Sequence, residues 1–417
     1  MAWHNLLLRA AVSPTEQRAS VRSAGVRMKV LMLSPESPYP LHGGGAYRTA
    51  SLLHYFARFA QVDLILISDS GEAAPLPRGL VSSQQVIPLP LHSRNVVARY
   101  VRNARRAIRG MPPLVDRLGG LDEQIEKAIG GRHYDIAIVE HFWCAPYVDL
   151  MAKAADRTFL NLHNIESVLH DRCAAVTAGP VRAGHARFAS AARRMEASLL
   201  PKYSLVLATS ATDAFAARTL APNCKVVVYP NSLPAMEIPQ IMERPRVVFS
   251  ANFEYHPNID AVEFLVKEIW PEVHRRHPAL ELRLVGKGDR FIKHLLPSDS
   301  NIRTTGPVED AFYEISQASL VVAPLRAGSG TRIKILEAWA AARAVVATPM
   351  AAEGLDAHDS GNLAFAADST GFVAAIDWLL ADARSRKQMG ISGRRTFEAR
   401  YSWEAAWKKL DLDLQLT

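Results

Sequence analysis

Short apolar blocks alternate along this chain with longer stretches whose apolar residues recur at helical spacing. Lys29-Val30-Leu31-Met32-Leu33-Ser34 is the first block, and a Pro/Gly-rich loop from Pro35 to Gly45 closes it. Leu52, Leu53 and Phe56 then predict a helix over 46–59, and Val62 to Ile67 reads as a second buried strand. Strand, loop, helix and strand begin a parallel, doubly wound sheet. Further strands are predicted at 85–88, 136–139, 158–162, 204–209 and 225–228, with a long helix over 181–199. Pro230-Asn231-Ser232-Leu233-Pro234 breaks the pattern, and 238–245 reads as a linker.

A second α/β series follows at once. Strands are predicted at 246–250, 282–285, 302–306, 320–323 and 344–347. Helices are predicted at 260–270, 308–318, 333–341, 370–380, 381–390 and 403–414. The fold class is therefore α/β, with two doubly wound Rossmann-like domains facing across a cleft. The expected divisions are an N-terminal extension over 1–27, a domain over 28–237, a second over 238–400, and a helix over 401–417 returning to the first domain. In such sheets ligands bind beyond the carboxyl ends of the strands, so the loops that follow strands are the candidate functional segments.

Composition narrows the class. Hydrophobic residues make up 49% of 417, enough for two cores, and the charged fraction of 22% is that of a folded protein. A formal net charge of +8 favours anionic partners without choosing among them. Cys144, Cys173 and Cys224 are scattered and lack CxxC spacing, which fits a reducing compartment and speaks against a disulfide framework or zinc site. No apolar run approaches the roughly 20 residues of a membrane-spanning helix. Residues 1–27 have the composition of a transit peptide; an upstream start codon before Met28 explains them equally, and a poorly ordered extension without a catalytic part is expected. Arg94, Arg99, Arg102, Arg105, Arg106 and Arg109 cluster before Met111-Pro112-Pro113; such a segment attracts anionic lipid or is a solvated basic helix. The basic residues are otherwise dispersed, and no nucleic-acid motif accompanies them.

Two loops carry the strongest chemistry. His42-Gly43-Gly44-Gly45 lies between the first strand and its helix, where glycines let backbone N–H groups approach an anion at a helix N-terminus. An esterase oxyanion loop can read the same way, but it needs a GxSxG elbow that is absent. In the second loop Gly328 and Gly330 flank Ser329, and Thr331 is placed to cap the helix that follows. Arg332 and Lys334 add two cations suited to a diphosphate, and Glu337 is placed to accept hydrogen bonds from a ribose diol. A capped amphipathic helix with a surface glutamate is the plainer reading. No Walker loop is present, and Gly286-Lys287-Gly288 lacks the third glycine of a dinucleotide fingerprint. His163 directly follows a strand and is a candidate for contact with a reacting sugar or acceptor hydroxyl, or a structural histidine. His141-Phe142-Trp143 and Glu353-Gly354 also follow strands, with acceptor or nucleotide contact and simple packing or turning both open.

Several of these segments, in this order, resemble the GT4 or "group 1" glycosyltransferases. They are Met28-Lys29-Val30-Leu31 with its glycine loop, Asn161 to Glu166, Tyr229-Pro230-Asn231-Ser232, Ala323-Pro324 through Gly354, and Tyr401-Ser402-Trp403. The resemblance implies a GT-B fold with the sugar-nucleotide donor mainly on the C-terminal domain. It implies that Glu337 binds the ribose, that Gly43 to Gly45 lie near the donor phosphates, and that His163 is the histidine after an N-domain strand. It implies no cofactor and no metal, because basic side chains and helix dipoles neutralise the leaving diphosphate. The sequence departs from the family at Ser329, where a donor-sugar-reading glutamate is usual. It departs again at Ser250 to His256, which lacks the usual Arg and Lys; Arg332 and Lys334 stand in for them.

The expected activity is retaining transfer of a sugar from a nucleoside diphosphate sugar to a hydroxyl acceptor, with His163, Arg332 and Lys334 as catalytic residues and Gly43–Gly45, Gly328–Thr331 and Glu337 as the donor grip. By family analogy the acceptor is a growing polysaccharide or lipid-linked glycan. The expected location is the cytoplasm, at the inner face of the membrane if the arginine segment binds lipid. A sugar-nucleotide epimerase on the same fold and a catalytically inactive binding module are the alternatives.

Overall fold

A computed structural model describes residues 27–41, 43–69, 71–72, 74–89, 95–298, 301–308, 310–327 and 333–415. The extension over 1–26 lies outside the described residues, as does the loop Gly328, Ser329, Gly330, Thr331 and Arg332.

In chain order the first half contains β1 (Met28–Ser34), α1 (Gly44–Ala57), β2 (Ala60–Ser68), β3 (Ser83–Pro88), α2 (Val96–Arg109), α3 (Pro113–Arg117), α4 (Asp122–Ile129), β4 (Tyr134–Glu140), α5 (Val148–Ala154), β5 (Ala155–Asn161), α6 (Glu166–Ala175), α7 (Gly179–Leu199), β6 (Leu205–Ala208), α8 (Ala211–Leu220) and β7 (Val226–Val228). The second half contains β8 (Arg246–Ser250), α9 (His256–Phe264), α10 (Trp270–Arg276), β9 (Glu281–Val285), β10 (Ile302–Thr304), α11 (Ala311–Ser316), β11 (Leu320–Ala323), α12 (Ile333–Ala340), β12 (Ala344–Ala347), β13 (Ala364–Phe365), α13 (Ser369–Ala381), α14 (Ala383–Arg400) and α15 (Trp403–Leu414).

Two parallel sheets result. The first has seven strands ordered β3-β2-β1-β4-β5-β6-β7, and the second has six ordered β10-β9-β8-β11-β12-β13. The inner strands, such as β1, β4, β6, β8, β11 and β12, are buried on both faces, which is why they read as near-continuous apolar runs; the edge strands β3 and β10 are only partly buried. Leu31 and Leu33 of β1 pack with Ile65, Ala137 and Val139 on one face of the first sheet. Val30 and Met32, offset by one residue, pack with Leu64, Ile136 and Ile138 on the other. Strand order reverses between β1 and β4 in the first sheet and between β8 and β11 in the second. Those reversals are the crevices in which an open α/β sheet binds ligands.

The helix expected over 260–270 begins earlier, at His256, and runs on through a π-turn over Leu265–Ile269 into α10. Pro257 sits in the first turn, where its missing N–H costs nothing. Pro271 lacks a donor inside the run, and the wider π register just before it absorbs that defect. The helix expected over 308–318 is shorter, because Asp310 caps it by accepting from the Tyr313 N–H at 3.0 Å. The helices expected over 370–380 and 381–390 are Ser369–Ala381 and Ala383–Arg400, separated where Asp382 caps the second of them.

Between β7 and β8 the chain has no regular element, only a bridge from Leu233 to Ser402. After α14 the chain returns to the first sheet. Ser402 caps α15, Trp403 N–H donates to the Leu233 carbonyl at 2.9 Å, and the Tyr55 hydroxyl donates to Asp411 at 2.8 Å. Ala406, Leu410 and Leu414 are part of the core beneath α1. Among the described residues no helix is long and apolar enough to cross a membrane.

Candidate active site

The loop after β1 ends at Gly43, whose φ of 86° lies in the left-handed region that favours glycine, and α1 begins at the next residue. The two glycines after it are there for space. A Cβ on Gly44 would stand 3.1 Å from Ile333 Cγ1, in the first turn of α12. A Cβ on Gly45 would run into the Glu36 carboxylate and lie 3.7 Å from His163 Nδ1. The N-terminus of α1, with no acidic residue in its first turn, is thereby brought against α12 on one side and His163 on the other.

His163 is set by a buried carboxylate. Glu140, the last residue of β4, is fully buried. It accepts from Thr49 Oγ1 at 3.0 Å, from Asn161 Nδ2 at 3.0 and 2.9 Å, and from His163 Nε2 at 2.9 Å. Burial pushes the Glu140 carboxyl up, while Asn161, His141, Arg48 and Thr49 oppose that. Three converging donors are what an ionised carboxylate accepts. Burial, with the charges of His141 and Arg48, holds His163 well below the ordinary histidine value. The neutral ring therefore donates Nε2–H to Glu140 and leaves Nδ1 as an acceptor on the Gly45 side, a tautomer assigned from this network.

Arg48, also fully buried, supplies the compensating charge without touching Glu140. Its Nη1 donates to the Tyr229 carbonyl at 2.6 Å and to Asn231 Oδ1 at 3.1 Å. Burial lowers it to about 10, so it remains a cation near neutrality.

His141 sits at a φ of 62°, uncommon for a residue with a side chain. Its ring stacks between His163, with centroids 3.5 Å apart, and Trp143, 4.2 Å away. Its Nε2 lies 3.5 Å from Glu36 Oε2, beyond good hydrogen-bond geometry. Burial by itself would raise the Glu36 carboxyl, but His141, with His163 and Lys287, holds it at about 2. His141 and Trp143 thus form a stack behind His163, and the Trp143 Nε1–H donates to buried Glu166 at 2.7 Å.

Across the cleft stands Glu337, on the α12 turn that follows Lys334. Burial pushes its carboxyl up to about 7, against the Lys334 charge and a hydrogen bond from Ser250 at the end of β8, with Asp310 adding to the rise. Lys334 Nζ donates to Asn258 Oδ1 at 3.0 Å and sits 4.9 Å over the Phe249 ring. Tyr47, from α1 of the first half, packs on the second core and feels the Glu337 charge. The structure therefore gathers Gly43, Gly44, Gly45, His163, Lys334 and Glu337 around one cleft. Glu353 does not reach it as a lone carboxylate: it makes a two-pronged pair with Arg172 of α6, at 2.6 and 2.8 Å, joining the two halves.

Glu36, Tyr47, Arg48, Glu140 and Asn161 escaped sequence reasoning as site residues. Only Glu140 left a signal, a carboxylate closing a strand buried on both faces. Beside Glu36 and Trp143 a cavity of 680 Å³ opens on the first half, lined also by Ser68, Arg102 and Arg106. Among the described residues no group of three or more His, Cys, Asp and Glu side chains is placed to hold a metal ion.

Comparison with known proteins bears on the family and the fold. Residues 244–382 match the family model described as "Glycosyl transferases group 1", so the second half carries a glycosyltransferase domain. No curated protein sequence matches the chain. Among solved structures, sucrose-phosphate synthase from Thermosynechococcus elongatus is 15% identical with a TM-score of 0.71, over 94% of this chain and 99% of that one. Anabaena HepE in complex with UDP and glucose is 14% identical with a TM-score of 0.64, over 94% and 100%. S. aureus TarM, in complex with fondaparinux, alpha-GlcNAc-glycerol and UDP, is 12% identical with a TM-score of 0.65, over 94% and 100%. The fold is GT-B.

Proposed function

We propose that this chain, with its group 1 glycosyltransferase domain on a GT-B fold, moves a sugar from a nucleoside diphosphate sugar to a hydroxyl acceptor with retention at the anomeric carbon, as a GT4 enzyme. The observation that carries the proposal is the approach of Gly44 to Ile333. It sets the N-terminus of one sheet's first helix directly beside the helix that bears Lys334 and Glu337, so that backbone N–H groups and these two side chains come from both halves to serve one diphosphate and its ribose.

Glu337 anchors the ribose diol. Lys334, Arg332, the Gly328–Thr331 loop and the Gly43–Gly45 helix start neutralise the departing diphosphate without a metal or other cofactor. His163, held neutral and oriented by Glu140, presents Nδ1 to the reacting sugar or the acceptor hydroxyl. In the step itself the acceptor oxygen bonds to the anomeric carbon as the bond to the leaving phosphate oxygen breaks. The acceptor proton passes to that phosphate oxygen on the same face, and a nucleoside diphosphate departs. The acceptor is a polysaccharide or lipid-linked glycan, met in the cytoplasm or at the inner face of a membrane. UDP in the HepE and TarM complexes makes a UDP-sugar the first donor to try.

A thermal-shift screen against UDP-, GDP- and ADP-glucose tests the donor class, since a ligand at a hundred times its Kd stabilises the folded state by about 2.7 kcal/mol. One nucleotide is expected to raise Tm by several degrees, and no shift with any of them would sink the proposal. The binding should also follow pH. The raised Glu337 carboxyl contributes stability below its ordinary 4.5 and loses it as pH climbs through about 7. Ribose hydroxyls donate to the ionised form, so affinity for UDP-glucose, which has no titrating phosphate in this range, is expected to rise about tenfold from pH 6 to pH 8. Calorimetry at the two pH values checks this, and Glu337→Gln should give a flat profile.

A further inference from the structure

Helix α2 is turned inside out. Arg106 is only 9% exposed, and it faces the protein with Arg102 and Asn103 along the wall of the 680 Å³ cavity. Its Nε donates to Asp116 of α3 at 2.7 Å and its Nη1 to Asn103 at 3.3 Å. The opposite side of the helix is apolar and bare: Val97 is 69% exposed, Tyr100 67%, Val101 46% and Ile108 79%. At 100° per residue these side chains and exposed Ala104 fall on one stripe, opposite Arg106. A helix on a globular surface normally does the reverse, and contiguous apolar exposure marks a contact surface.

Charge identifies the contact. From Arg94 to Val115 the sequence has six arginines and no aspartate or glutamate. Arg105 and Arg109 are exposed on the same helix, along one flank of the stripe. An apolar stripe flanked by arginines, with no acid, matches a surface that is greasy within and negative outside.

We propose that α2 docks the first half of the molecule on an anionic lipid surface, its stripe among the acyl chains and Arg105 and Arg109 at the headgroups. Arg102 and Arg106, on the inner side of the same helix, then bring the cavity beside Glu36 and Trp143 to that surface. Docking stands on this helix alone; delivery of a lipid-borne acceptor to the cavity rests also on the transferase reading above.

Co-sedimentation of the full chain with vesicles tests it. Vesicles of equal parts phosphatidylglycerol and phosphatidylcholine are expected to pull the protein down, and phosphatidylcholine alone at least about tenfold less. Val97→Asp with Ile108→Asp should lower partitioning at least about tenfold. Arg105→Glu with Arg109→Glu should erase the preference for phosphatidylglycerol. Unchanged far-UV circular dichroism and an unchanged thermal shift with UDP show that the variants remain folded. A wild-type chain that stays in the supernatant with both vesicles overturns docking, as does a double-Asp variant that binds undiminished. A wild-type dimer that the double-Asp change splits, without vesicle binding, assigns the stripe to a second copy and overturns it too. If none of UDP-, GDP- and ADP-glucose gives a shift while vesicle binding holds, the donor reading fails and docking stands.

Discussion

Glu337→Ala is expected to lower kcat/KM by about a hundredfold to ten-thousandfold while the protein stays folded. A hydrogen bond to a charged group is worth about 1.5–3 kcal/mol, a ribose diol offers two, and about 1.4 kcal/mol is a factor of ten. Truncation removes both and leaves the Ser250 hydroxyl without its carboxylate. The fold has little to lose, because a carboxyl held near 7 by burial is already an unfavourable charge at pH 8. Glu337→Gln keeps the volume and one acceptor, so it should lose less activity than the alanine and melt no lower than the wild type at pH 8. Steady-state kinetics with the donor found in the screen, beside thermal melts, give both readouts. Wild-type turnover in the alanine variant would remove Glu337 from the site, and a collapsed fold would make it a structural residue.

The inner parallel strands were legible in the sequence because burial on both faces makes each a compact apolar run ending in a loop. Helices that bury polar or small residues were not. In α6 the buried positions include Glu166, Ser167 and Cys173, and in α8 Asp213, Ala214 and Ala217 are inside while Phe215 is 72% exposed. No apolar stripe of helical period reports such faces. The arginine cluster of α2 was visible, but its direction was not: composition reads the same whether the arginines face water or a cavity. Glu337, Lys334, the three glycines and His163 could be singled out as candidates because each follows a strand or opens a helix. What ties them together lies between distant segments. Thr49 and Glu140 are 91 residues apart and Arg48 and Asn231 are 183 apart, so their hydrogen bonds leave no local spacing to find.

Those distant bonds set the second large effect. Glu140→Ala is expected to destabilise the first half of the molecule by about 3–5 kcal/mol, the cost of removing one member of a buried charge network. Thr49, Asn161 and His163 would each lose an acceptor in a region closed to water, and Arg48 would lose the carboxylate that balances its buried charge. Against a typical total of about 5–15 kcal/mol, that is enough to shift the urea midpoint well down. Glu140→Gln separates folding from chemistry. It fills the same space and keeps one acceptor, so most of the stability should remain. The glutamine amide no longer fixes the His163 tautomer, however, and its N–H₂ competes with Nε2–H for the space between them. Turnover in that variant should fall with little change in donor affinity, because the Gly43–Gly45 helix start and Glu337 are untouched. Urea unfolding of both variants, with kcat and UDP-glucose affinity for the glutamine, reads the two effects apart. A loss below about 1 kcal/mol in the alanine variant would show that the network holds nothing together. Full turnover in the glutamine variant would take His163 out of the reaction.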